Sequence, residues 1–438
     1  MFSVIEAKNY KSFAHLYLDL NKNKKAKTVK NMISIYGENG SGKSSVIYLF
    51  EILAHSLHTI QTFNNLVELR DKLARNVDVE KKDINKIVYE VSKSSITRIV
   101  EDCRMIDNDD PMQLIFHFIL NGKNGSYTLE FNKENQLTFE KLDYVINRNV
   151  GTIYEICYTN HEIHSAFSKS IFTNNGLIQD FQQLVDKNWG QHTFLAILND
   201  FMANINEQFI KKHISSHLFE VIDFFEGIGY ADNDLFGVRL PNKFLIDFSS
   251  GIISKDKQEL LENTERVFEE FFTQIYSDIK QVKYDVREDG NQLIYQLCFY
   301  KLIEGQLRKI PYSLESHGTK KLTDILYILL SVTYGFVVVV DEIDEGIHDL
   351  MIQSVLESVT DSLKGQLIFT THNTFLMRSF DKNSMYVIDI DANGSKSITS
   401  LDHFPTQRNH NIQSQYLKGY FGGMPYPGTI DFDEMLED

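Results

Sequence analysis

The nine residues GENGSGKSS, positions 37–45, constrain this chain more than any other stretch in it. Gly37, four residues, Gly42, Lys43 and Ser44 match the phosphate-loop pattern. The glycines let successive backbone N–H groups turn inward around phosphate oxygens. Lys43 can reach the β- and γ-phosphates, and the Ser44 hydroxyl can ligate Mg²⁺. The positive end of the helix behind adds to the field. Gly37, Glu38, Asn39, Gly40, Ser41, Gly42, Lys43, Ser44 and Ser45 are therefore the candidate nucleotide-binding set, with ATP and Mg²⁺ as cofactors. A chance glycine-rich turn would lack the flanks seen here. The apolar strand MISIY precedes, and a helix follows with Val46, Leu49, Phe50, Leu53 and Leu57 on one face.

A second block is FVVVVDEID. Four consecutive valines read as a strand buried on both faces. Asp341 at its end would hold Mg²⁺ through water, and Glu342 would act as general base towards the attacking water. Taken alone, two adjacent carboxylates could equally open a solvated loop. A third block, QLIFTTHNTF, puts His372 just past another buried strand. A lone histidine there is usually structural. At the sheet edge shared with Asp341 and Lys43, a neutral imidazole would instead bond the γ-phosphate and orient the water.

A fourth stretch, SLESHGTKKL, precedes a helix whose Leu322, Ile325, Leu326 and Leu329 mark one face. Ser316 and Gly318 thus stand at a helix N-terminus suited to an anion, with Thr319, Lys320 and Lys321 adding donors and charge. The plain alternative is an N-cap by Ser316. A cap alone needs neither the nearby glycine nor the paired lysines.

The rest of the 438 residues bound the setting. Composition is that of a globular protein, and the net charge of −16 argues against coating nucleic acid by bulk attraction. Lys22, Lys24, Lys25, Lys27 and Lys30 read as a solvated hairpin tip, or else as a local contact to DNA or an acidic partner. Cys103, Cys157 and Cys298 lack metal spacing and read as buried thiols of a reducing compartment. No signal pattern opens the chain, and YILLSVTYGFVVVV is too short to span a membrane. A cytoplasmic protein without a membrane domain is expected. The opening residues read as two strands around a turn, and MQLIFHFIL and SYTLEF as a hairpin around NGKNG. Residues 185–285 read as mostly helical, including one long amphipathic run from FLAILND to VIDFF. The IDID of Asp389 and Asp391 reads as a strand with a turn, and DFDEMLED as an acidic solvated tail.

The three phosphate-site blocks resemble the ABC-type ATPase family, in the branch of RecF, SMC and OLD proteins. NYKSF looks like that branch's first hairpin. ESHGTKKL and YLKGYFGGMPY look like the signature and C-terminus of OLD-related ATPases from anti-phage defence systems. The resemblance implies an α/β P-loop fold of ABC type: a mixed sheet, an antiparallel β subdomain and an inserted helical subdomain. The segments would be 1–160 (N-lobe with phosphate loop), 161–310 (mainly helical insertion) and 311–438 (C-lobe with signature, the 341–342 carboxylates and His372). It also implies that Ser316, Gly318 and Thr319 act in trans on the nucleotide of a second copy, making the protein at least a homodimer around ATP. The family's usual signature is Leu-Ser-Gly-Gly-Gln. Here Glu315 follows Leu314, and His317 has no assigned role. EGIH falls where the family places a loop at the dimer seam, so His348 would report nucleotide state there, or simply start a helix. Gln61 and Gln113 are candidates for the γ-phosphate-sensing glutamine, and Lys11 for a nucleotide contact. The expected function is an ATPase that serves a separately encoded nuclease or toxin in antiviral defence. The alternative is a RecF-like repair ATPase at DNA ends or gaps. The long segment between Lys43 and Asp341 disfavours a transporter subunit, and the stretch after His372 is too short for the Toprim nuclease of OLD proteins. No nuclease activity is expected in this chain.

Overall fold

A computed structural model describes residues 1–73, 91–231, 235–405, 411–425 and 435. Its chain separates into two compact units, one of residues 1, 30–32 and 219–375, the other of 2–29, 33–218 and 376–438.

The second of these carries a seven-stranded antiparallel sheet. Its spatial order is Glu162–Phe167, Asn149–Thr159, Leu137–Ile146, Lys123–Phe131, Met112–Leu120, Phe2–Tyr10, Phe13–Asp19. Buried and half-buried residues alternate along Met112–Leu120, the pattern of a sheet with one core face. The hairpin expected at NGKNG forms, turning at Asn121 (φ 52°) and Gly122 (φ 69°). Both take left-handed backbone, as a type I′ turn requires. In the same unit Met385–Ile390 runs parallel to the phosphate-loop strand, with Val387 opposite Tyr36, and pairs antiparallel with Lys396–Ser400. All five residues of the expected helix face, Val46 to Leu57, are buried.

The long amphipathic run is not one helix. It divides into Phe194–Ala203, Glu207–His213 and Ser216–Glu226. Asn206 Oδ1 accepts the Gln208 N–H (2.9 Å), and Ser215 Oγ accepts the His217 N–H (3.4 Å). Each side chain offers the backbone a new start in place of continuation.

Glu140 is fully buried in this unit. Its Oε1 accepts the hydroxyls of Tyr127 and Tyr154 (2.9 Å each). Its Oε2 accepts the Trp189 indole N–H and the Phe194 backbone N–H (2.7 Å each). Burial pushes the carboxyl above the usual carboxylate range, against the pull of the four donors. Glu140→Gln would turn an amide N–H₂ towards two of those donors. We expect a loss of roughly 2 kcal/mol, read as a lower urea midpoint by Trp189 fluorescence. An unchanged midpoint would show that the network does not stabilise the fold.

The other unit holds parallel strands Ile228–Ala231, Val337–Val340 and Gln366–Thr370, with Val340 beside Phe369. A smaller antiparallel sheet pairs Ile279–Asp289 with Gln292–Ile303, whose far edge takes Ser250–Ser254 and Gln306–Pro311. Helix Gln258–Ile275 belongs to the same unit, its Phe272 edge-on to Phe299 at 5.0 Å. Strands at 250–254 and 279–289 thus interrupt the stretch read as mostly helical. In KQVKYDV the apolar residues alternate, and the two-residue turn Gly290–Asn291 returns the chain into its partner strand.

Cys103 and Cys298 are buried, but Cys157 is only partly covered. Among the described residues no helix is long and apolar enough to cross a membrane.

Candidate functional site

Each unit carries part of the expected chemistry. In the phosphate-loop unit, strand Met32–Tyr36 is buried throughout and helix Lys43–Ser56 follows the loop. Gly42 caps that helix at φ 108°, in the left-handed region. A Cβ there would stand 2.7 Å from the Phe13 ring, so only glycine lets the first hairpin meet the loop. The hairpin is further tied by the Tyr10 hydroxyl, which donates to Ser45 O at 2.9 Å. Lys43 is buried, and its Nζ donates to Gly37 O (2.9 Å) and Glu38 O (3.2 Å). The fully buried Ser41 hydroxyl meets no partner among the described residues, whereas Ser44 is exposed. A glycine-lined loop with a buried ammonium at the head of a helix fits a polyphosphate.

Lys11, at the hairpin tip, is held at φ 49° and places its Nζ 4.1 Å from the Tyr48 ring centre. Lys396 was not among the sequence candidates. Its Nζ donates to Gly40 O at 2.5 Å, and burial lowers its pKa. Gly423 closes against the loop from the C-terminal side: its N–H goes to Asp389 Oδ1 (2.9 Å), and a Cβ on it would stand 3.4 Å from Gly37 Cα. Asp391 Oδ1 accepts the N–H groups of Asn393 and Ser395 (2.8 Å each). IDID thus ends a strand and opens its turn, as the sequence suggested, with Asp391 holding the turn and Asp389 reaching Gly423.

In the other unit the four valines are buried, and the chain turns sharply after them. Asp341 accepts the Thr370 hydroxyl. The same Thr370 Oγ1 accepts the Glu342 N–H at 2.7 Å, and Thr370 O accepts the Ile343 N–H at 3.1 Å. Glu342 sits at φ 47°, a left-handed position that costs energy for a side-chain-bearing residue. Its Oε1 lies 4.0 Å from His372 Nε2, with both side chains about half exposed. Asp341, Glu342 and His372 therefore gather at the ends of neighbouring strands. Asp344, one residue on from Ile343, is half-buried, and desolvation raises its pKa.

At the signature, Ser316 caps helix His317–Thr333, its Oγ accepting the Thr319 N–H at 3.1 Å. Gly318 and His317 lock against the loop after Glu342. A Cβ on Gly318 would stand 3.0 Å from Gly346 O. Gly346 has φ +73°, and a Cβ on it would stand 2.9 Å from His317 Cδ2. Lys321 Nζ adds a 3.7 Å approach to Glu345. His317 thus packs on the turn that carries Glu342. Glu315, which departs from the family pattern, is buried and pairs with Lys301 at 2.6 Å.

His348 caps helix Asp349–Val359 through a 3.3 Å bond from Leu350 N–H. Gln61 bonds His58 (3.2 Å) and Gln113 bonds Glu130 (3.4 Å). In the lysine cluster Lys22, Lys24, Lys25 and Lys27 are exposed, Lys24 pairing with Asp19 at 2.8 Å, but Lys30 is buried.

A family described as "AAA domain, putative AbiEii toxin, Type IV TA system" matches residues 32–378. No curated protein matches the chain. Among solved structures it is similar to an SMC head bound to the C-winged helix domain of ScpA, at 14% identity over 91% of this chain and 97% of that one, TM-score 0.44. The SMC head domain from Thermotoga maritima is similar at 14% identity over 91% and 98%, TM-score 0.37. An Smc head with an extended coiled coil, bound to the C-terminal domain of ScpA derived from Pyrococcus furiosus, is similar at 12% identity over 92% and 97%, TM-score 0.42.

Proposed function

Because the chain belongs to the AbiEii-type AAA ATPase family, we propose that it is a Mg²⁺-dependent ATPase of ABC type that pairs around ATP and governs a separately encoded nuclease or toxin in anti-phage defence. The observation that carries this reading is the phosphate loop: Gly42 in left-handed backbone, Lys43 buried behind it, and a helix N-terminus aimed along it. The family's toxin–antitoxin description supports a separately encoded partner.

In this reading the loop N–H groups and Lys43 hold the triphosphate. Ser44 and Asp341 are the residues that would hold Mg²⁺, whose positive charge would offset that of the phosphates. Glu342 takes the proton of the attacking water, and His372 orients that water. Water reaches both side chains, since both are half exposed. Ser316 and Gly318 of a second copy cap the γ-phosphate. Their helix N-terminus offers N–H groups suited to that task.

The test is phosphate release with Mg²⁺ and with EDTA, alongside light scattering with and without ATP. Mg²⁺-dependent turnover and an ATP-dependent doubling of mass are expected. No turnover, or one mass throughout, would sink the reading. The exposed lysines at 22–27 favour a second reading, a RecF-like ATPase at DNA ends. DNA-stimulated turnover would select it.

Ser316→Arg separates lid from cap. Losing the cap costs about 1 kcal/mol of stability. Losing a trans lid should slow hydrolysis on the order of 10²-fold and keep the protein monomeric. ATP affinity of each monomer, measured by calorimetry, should stay unchanged. Normal turnover in this variant would reduce Ser316 to a helix cap.

A further inference from the structure

The unit containing the phosphate loop also encloses a cavity of about 830 Å³, none of whose walls comes from residues 37–45. The volume is in the range of small-molecule sites. Three aromatic rings contribute to it. Phe63 and Tyr158 are 50% and 44% exposed, an open stacking surface rather than a packed core. Trp189 is nearly buried, and its indole N–H is anchored on Glu140. Burying a carboxylate costs several kcal/mol. Here that buried group fixes the orientation of a cavity wall. His192 Nδ1, 2.9 Å from Thr59 Oγ1, ties the Trp189 segment to the helix that bears Phe63.

The polar lining is sparse and varied. Arg98 is exposed, and among the described residues its guanidinium enters no ion pair. Glu134 supplies a carboxylate and Gln191 an amide. Aromatic faces bind any flat base. A guanidinium grips a phosphate through two parallel bonds. A carboxylate accepts from vicinal ribose hydroxyls, and an amide can both donate to and accept from a base edge.

We propose that this cavity is a second nucleotide site, taking a ribonucleotide with its base on Phe63, Tyr158 and Trp189, its phosphate on Arg98 and its ribose on Glu134. It is separate from the ATP of the phosphate loop and would let the ATPase respond to a nucleotide it does not hydrolyse.

Trp189 is the sole tryptophan of the chain, so its fluorescence reports on this wall alone. The probes are AMP, GMP, CMP and UMP, titrated into the full chain and into Lys43→Ala, which disables the phosphate loop. Saturable quenching by at least one of them, equal in both proteins, is expected. Arg98→Ala should weaken it about 10-fold, the worth of one charge-assisted bond. Tyr158→Ala should weaken it as well, and the 2′-deoxy form of the best probe should bind less well. Arg98 and Tyr158 are exposed, so neither change should unfold the protein, and a far-UV spectrum checks this. Absence of quenching by all four probes overturns the proposal. So does quenching that vanishes in Lys43→Ala, or quenching that both other variants leave unchanged.

Discussion

Glu342→Gln is expected to bind ATP normally, to hydrolyse it on the order of 10³-fold more slowly, and to accumulate as an ATP-bound pair. The backbone at this position is held independently of the carboxylate. Its N–H goes to Thr370 Oγ1 at 2.7 Å, and the next N–H goes to Thr370 O at 3.1 Å. The left-handed turn at φ 47° should therefore survive the substitution. The side chain is half exposed, so exchanging a carboxylate for an amide of the same shape should barely alter stability. What disappears is the capacity to accept a proton from water at neutral pH. Single-turnover phosphate release gives the rate, and gel filtration in ATP gives the assembly. A wild-type rate would remove Glu342 from the chemistry. A slow rate with monomers only would keep the base but reject pairing around ATP.

What could be read from the sequence was local. The phosphate loop, the valine strand and the Asn121–Gly122 hairpin are specified by residues within a few positions of one another. Their backbone chemistry needs no partner from elsewhere. The cap at Ser316 was legible for the same reason. Contacts between distant segments were not. Lys396 reaches Gly40 across 356 residues, and no spacing rule links them. Glu315 departs from the family pattern, and only the structure supplies its reason in Lys301. His317 owes its place to Gly346, whose lack of a Cβ leaves room for the imidazole. Glu140 sits in an ordinary amphipathic strand, and its four donors come from three other segments. The long helical run failed differently. Its apolar period carries through, but Asn206 and Ser215 accept backbone N–H groups within the run and restart the chain as new helices.

Lys43→Ala should abolish ATP binding at the phosphate loop at ordinary ATP concentrations while leaving the fold intact. The ammonium is buried and bonds Gly37 O and Glu38 O, a position from which it can turn to phosphate oxygens. Two charge-assisted hydrogen bonds of about 1.5–3 kcal/mol each correspond to a loss of affinity on the order of 10²–10⁴-fold. Removing the two carbonyl contacts weakens the loop. Removing a desolvated cation relieves a cost of opposite sign. The two effects largely offset, so the melting temperature without nucleotide should move little, whereas the rise in melting temperature on adding ATP should disappear. Thermal melts with and without Mg²⁺·ATP read both quantities in one experiment. A variant that still gains stability from ATP would place the nucleotide elsewhere in the chain. A variant that melts far below the parent would show Lys43 to be a structural cation first. If neither occurs, the variant is the proper background for testing whether the proposed ATP-driven pair controls an effector. An effector that responds to this protein should then fall silent in Lys43→Ala and remain locked in one state in Glu342→Gln.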